Sequence, residues 1–80
     1  MELRLYTPDG ILFEGDVDSV TLPGRVGSFT VLKDHAPIIS SLSAGNIVCH
    51  DTDGEHSFSI SNGFVQVRDN VITACIESQQ

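Results

Sequence analysis

Apolar residues recur at every second position along most of the chain: Leu3 and Leu5, Val20 and Leu22, Phe29 and Val31, Phe58 and Ile60, Val65 and Val67, then Ile72, Ala74 and Ile76. A period of two is that of a half-buried strand, and no segment sustains the 3.6-residue period of a helix. Turn signals break these runs at short intervals. Thr7-Pro8-Asp9-Gly10 places proline second and glycine fourth, as a type I turn prefers. Asn62-Gly63 reads as a type I′ hairpin turn between Phe58–Ser61 and Phe64–Val67, because both residues tolerate positive φ. Asp69-Asn70 repeats the device, and Asp53-Gly54 reads as a further hairpin turn. The pattern predicts nine strands, at residues 2–6, 11–14, 16–22, 27–32, 38–42, 45–50, 55–60, 63–68 and 71–77.

So many short strands fold over into two layers or close on themselves. The predicted architecture is all-β: one domain over residues 1–80, a β-sandwich or flattened barrel of about nine to ten short, mainly antiparallel strands. The period-two residues form its expected core, with Ile38, Ile39 and Leu42 added, and Ser78-Gln79-Gln80 is expected to be a frayed polar tail. Some strands also carry apolar residues on the opposite face. Val71 and Cys75 oppose Ile72, Ala74 and Ile76, and Phe64 opposes Val65 and Val67. Either a partner surface covers that second face or a loop of the chain lies over it, and the pattern does not choose.

Charge narrows the partners. Eleven acidic residues against four basic ones give a formal net charge of -7, and Arg4, Arg25, Lys33 and Arg68 are scattered one per segment. Such a chain repels phosphate backbones, so nucleic acid is excluded as a partner. No run approaches the roughly 20 apolar residues of a membrane span. Met1-Glu2-Leu3-Arg4-Leu5 lacks the basic start and apolar stretch of a signal peptide, so the chain is expected to stay where it is made. Cys49 and Cys75, far apart and each in a strand-like segment, read as small apolar thiols in a reducing compartment.

Candidate chemistry is sparse. His50-Asp51-Thr52-Asp53-Gly54-Glu55-His56 has metal-ligand residue types, but it lacks the closing bidentate glutamate and flanking helices of a calcium loop and reads as a solvated hairpin. Leu22-Pro23-Gly24-Arg25-Val26-Gly27-Ser28 is glycine-rich without a phosphate-loop lysine, and a strand follows it instead of a helix. No spacing singles out a nucleophile with a His base. Lys33-Asp34-His35-Ala36-Pro37 presents a histidine on a stiff exposed loop, where it either meets a partner or only completes a turn. The expectation is therefore of no catalytic, cofactor-binding or metal-binding residue. A small enzyme or ligand-binding sandwich using His35, His50 and Asp51 is the rival, and it requires a concave pocket of converging polar groups. An unrelated adaptor is a third reading.

The pieces also stand in a distinctive order. Thr7-Pro8-x-Gly10-x-Leu12-Phe13-x-Gly15-x-Val17 is followed by Val20-x-Leu22-Pro23-Gly24-x-x-Gly27-x-Phe29-x-Val31-Leu32. His35-Ala36-Pro37, Leu42, Gly45 and Ile47 come next, then Phe58-x-Ile60-x-x-Gly63-Phe64-x-x-Val67 and Asn70-Val71. In this order the chain resembles, over nearly its full length, the N-terminal β-sandwich domain of the epsilon subunit of F-type ATP synthases. The resemblance implies a non-catalytic rotor part of the central stalk, without a cofactor, that joins the gamma subunit to the c-subunit ring and couples ion-driven rotation to ATP synthesis. It implies a peripheral position on the cytoplasmic face of a bacterial inner membrane or an equivalent coupling membrane. Carried over by position, the c-ring end would include Ser28, His35, Ala36 and Pro37, and the gamma side Thr7, with Phe64, Val71 and Cys75 on the neighbouring strand surface. Ser28 stands where an acidic residue can occur in the family, which leaves a charge contact there open. Many family members continue into a C-terminal helical hairpin that restrains ATP hydrolysis. That hairpin is expected to be absent here, so its inhibitory and nucleotide-sensing roles are not carried over.

Overall fold

The structure is a computed structural model that describes residues 1–78, all of whose regular elements are strands. They are β1 (Glu2–Thr7), β2 (Gly10–Asp16), β3 (Ser19–Gly24), β4 (Gly27–Leu32), β5 (Ile38–Leu42), β6 (Gly45–Asp51), β7 (Gly54–Arg68) and β8 (Val71–Ser78). The described strands number eight, and the difference from the sequence expectation is at Asn62-Gly63. No hairpin forms there. Neither residue takes positive φ, and the chain runs straight through as the 15-residue β7. The turn propensity of Asn-Gly is overridden because β7 has partners along its whole length: β6 against Gly54–Ile60 and β5 against Gly63–Val67, with β8 on Ile60–Arg68. Its pairing with β8 shifts between Ile60 and Asn62, so the turn-like residues mark a bulge instead.

The other turn signals hold. Pro8 and Asp9 link β1 to β2, with Thr7 Oγ1 accepting from the Asp9 N–H and donating to the Gly10 carbonyl. Asp69 and Asn70 both adopt left-handed φ, 53° and 61°, as a type I′ hairpin requires. Asp51 Oδ1 accepts from the Asp53 N–H across the β6–β7 turn.

Hydrogen bonds run in the order β2-β1-β8-β7-β5-β3-β4, with β6 bridging β3 and β7. All pairings are antiparallel except β1 with β8. The long β7 belongs to both layers: its C-terminal half joins β2, β1, β8 and β5, and its N-terminal half joins β6, β3 and β4. The smallest dimension, 19 Å, suits two sheets packed about 10 Å apart. Register rows fill the space between them. Val67, Ile72 and Leu3 form one inner row and Val65, Ala74 and Leu5 the next, facing Val20, Val31, Ile47 and Cys49 of the other layer. Phe13 closes the open side: its ring lies 5.5 Å from Phe58 and 5.6 Å from His56.

Ile39 departs from the expected core. It is 70% exposed, because register with Gln66 places it on the outer face while Ile38 and Leu42 turn inward. Phe29, Phe58 and Ile38 pack against the core without full burial, and Val17, Ile47 and Cys49 join it. Part of the polar tail, Gln79 and Gln80, lies outside the described residues.

Candidate partner interface

The outer face of the β5-β7-β8-β1-β2 layer carries a continuous apolar row. Phe64 is opposite Cys75, Cys75 opposite Tyr6, and Tyr6 opposite Ile11, across four adjacent strands. At about 4.8 Å between strands, the row is roughly 14 Å long. Among the described residues no loop covers it: Phe64 is 49% exposed, and Cys75 and Ile11 are exposed as well. Of the two readings of the second apolar face, the covering loop is therefore absent among the described residues, and the face stands open to solvent. The next row is polar, with Gln66, Thr73, Arg4 and Glu14 in register beside Ile39. There the Arg4 guanidinium bonds the Glu2 carboxylate, which raises its pKa, with the charge of Glu2 adding to the effect.

The residues expected on the gamma side gather on this layer. Phe64 and Cys75 are direct neighbours, Val71 stands on the same face of β8 four residues away, and Thr7 lies at the end of β1. Thr7, Tyr6, Pro8, Phe64 and Cys75 line a groove between the β1–β2 turn and the β7 bulge. The sequence pattern singles out Phe64 and Cys75, assigns Ile39 to the core, and does not single out Tyr6 or Ile11. Tyr6 could have been found by strand parity, since it alternates with Leu5 on β1.

The residues expected at the c-ring end are not brought to a single point. Ser28 is exposed near the β3–β4 hairpin tip, whereas His35, Ala36 and Pro37 follow the other end of β4. Four steps along the strand, about 13 Å, separate Ser28 from Leu32. The His35 loop is tied in place. Asn70 Oδ1 accepts from the Asp34 N–H at 2.6 Å, Asn70 Nδ2 donates to Asp34 Oδ1 at 2.9 Å, and His35 donates its own N–H to the Leu32 carbonyl. The His35 ring is half-buried, with Nδ1 donating to the Ala36 carbonyl at 2.7 Å.

The groups proposed for the rival chemistry do not converge. His50 lies 3.5 Å from Glu55 and His56 donates to Asp51 Oδ2 at 3.0 Å, so each histidine has a local carboxylate partner on the β6–β7 hairpin. His35 bonds its own loop, and the groove at the β1–β2 turn contains no histidine. Among the described residues no three His, Cys, Asp or Glu side chains gather as metal ligands. Both cysteines are free thiols; burial pushes the Cys49 thiol up, and the Asp51 charge adds to that.

The family described as ATP synthase, Delta/Epsilon chain, beta-sandwich domain matches residues 1–79. The chain is 46% identical over 77 residues to the ATP synthase epsilon chain of a Sulfurovum species, covering 95% of this chain and 59% of that one. It is 44% identical over 78 residues to the ATP synthase epsilon chain of a Nitratiruptor species, covering 96% and 60%. The chain thus spans about three fifths of the length of these relatives. In three dimensions it is similar, with a TM-score of 0.85 and 25% identity, to a chain in the cryo-EM structure of the Euglena gracilis mitochondrial ATP synthase containing OSCP, F1 and the c-ring. That likeness covers 92% of this chain and 48% of the other. A family match along the whole described sandwich, with the same fold and close relatives of one kind, shows that the chain belongs to the ATP synthase delta/epsilon family and forms its β-sandwich domain.

Proposed function

We propose that this domain is a non-catalytic rotor element of the central stalk of an F-type ATP synthase, docking the gamma subunit onto the c-ring so that ion-driven rotation reaches the catalytic head. The observation that carries the reading is the uncovered row of Tyr6, Phe64, Cys75 and Ile11 on a domain whose sequence matches the family throughout. In this reading gamma buries that row, with Val71 and Thr7 at its margins. The ring meets the edge strand β4, from Ser28 at one end to His35, Ala36 and Pro37 beyond the other. The domain is peripheral on the cytoplasmic face of a bacterial coupling membrane.

A standard interface takes about 800 Å² from each partner. Two such interfaces would use about a third of the 4771 Å² accessible surface, which is feasible for opposite sides of one small sandwich. The contribution is mechanical, and the tied His35 loop suits it, because a mobile contact would dissipate torque.

Reconstituted membranes test the reading. Omitting the chain is expected to uncouple ion flow from ATP synthesis, and His35→Glu is expected to weaken retention of the stalk on the ring. Unchanged ATP synthesis without the chain would refute the coupling role, whereas unchanged retention with His35→Glu would remove only that loop from the ring contact.

A further inference from the structure

Among the described residues two strands of the sandwich have a single hydrogen-bonded neighbour: β4 pairs with β3 alone, and β2 pairs with β1 alone. The outer edge of β2 therefore presents unpaired backbone N–H and C=O groups. Two apolar side chains stand on that strand in the open, Ile11 at 62% and Leu12 at 41% exposure. Charge on and beside β2 is acidic in excess, with the Met1 ammonium 3.0 Å from Asp16 and Arg4 opposite Glu14 on β1. No Lys or Arg occurs between Arg4 and Arg25, while Asp9, Glu14, Asp16 and Asp18 fall on β2 or directly beside it. The β4 edge lacks this character: between Gly27 and Lys33 it carries no charged residue.

We propose that the free edge of β2 is a docking edge for an extended, lysine- or arginine-rich segment of a partner protein, which adds to the sheet as a further strand. Backbone hydrogen bonds supply affinity in such strand addition, and side-chain pockets and charges supply selectivity. Ile11 and Leu12 offer the apolar anchors, and the carboxylates select a basic strand over an acidic one. A second copy of this chain is the wrong partner on the same ground, since each copy carries a formal charge of -7. The docking edge shares Ile11 with the row assigned to gamma, whereas Leu12 and the free backbone edge of β2 lie outside that row.

The test uses the isotope-labelled chain and two ten-residue acetylated peptides, one alternating lysine with valine and one alternating glutamate with valine. The lysine peptide is expected to slow amide hydrogen exchange at alternate residues of Gly10–Asp16 by roughly tenfold, and the glutamate peptide to leave it unchanged. The double variant Ile11→Lys with Glu14→Lys changes only exposed side chains, so it should fold normally and weaken binding of the lysine peptide by roughly tenfold. Protection along β4 instead of β2, equal binding of the two peptides, or shifts at acidic loops without slowed exchange on β2 would each overturn the proposal.

Discussion

Gly63 shows how one residue's size shapes the sandwich. A Cβ at this position would lie 2.8 Å from Ile76 Cγ2 and 3.0 Å from the Cys75 carbonyl oxygen, so β7 and β8 approach here as only glycine allows. Gly63→Ala is expected to cost about 1–3 kcal/mol by overpacking. In a thermal melt that is a drop of roughly 4–8 °C per kcal/mol, and an unchanged melting temperature would mean that the two strands separate at the bulge. The cysteines give a second residue-scale prediction. Cys75 is exposed and Cys49 buried, so a thiol reagent should modify Cys75 rapidly in the native chain and Cys49 only after unfolding. Equal native rates would contradict the burial of Cys49. Burial raises the Cys49 pKa in the folded state, so its contribution to stability is complete below the ordinary thiol value of about 8.5 and is lost as pH rises through the folded-state value. The stability difference between wild type and Cys49→Ala should therefore narrow in alkaline denaturation series. At this scale strand parity put Leu3, Leu5, Val20 and Ile72 inside correctly, but it could not orient Ile38 against Ile39, because adjacent apolar residues fit either face until register with β7 decides.

At the scale of elements, the decisive contacts are between turns far apart in sequence. Asp34 and Asn70 both hold left-handed backbone, and their two hydrogen bonds fasten the β4–β5 loop to the β7–β8 turn. Asn70→Ala loses both bonds and places alanine at φ 61°, so it should cost about 1–3 kcal/mol. Asn70→Gly should cost less, since glycine restores the backbone freedom but not the bonds. Chemical denaturation checks the order of the two variants, and an equal cost would assign the effect to the side chain alone. This tie was invisible in the sequence: Asp69-Asn70 announced a turn, but nothing in a linear pattern says that Asn70 reaches 36 residues back to Asp34. Asn62-Gly63 was the opposite case. A strong local signal yielded to non-local pairing with β5, β6 and β8, which supplies more hydrogen bonds than a two-residue turn could.

For the whole molecule, the layered fold follows from the alternation of apolar and polar residues, and the family from the ordered motifs along the chain. What the alternation could not show was which outward residues stand in register. Phe64, Cys75, Tyr6 and Ile11 come from four strands and become one surface only when β1 pairs parallel to β8 and β8 antiparallel to β7. The ring-facing assignment was less legible, because Ser28 and His35 lie seven residues apart in the sequence yet at opposite ends of β4. Gamma binding by the apolar row is the central proposal for this domain. Calorimetric titration of the chain with purified gamma subunit tests it most directly. The predicted result is a one-to-one complex that Phe64→Glu weakens by about 2 kcal/mol or more, as expected for a central aromatic anchor. No complex, or a complex that Phe64→Glu leaves equally tight, would contradict it.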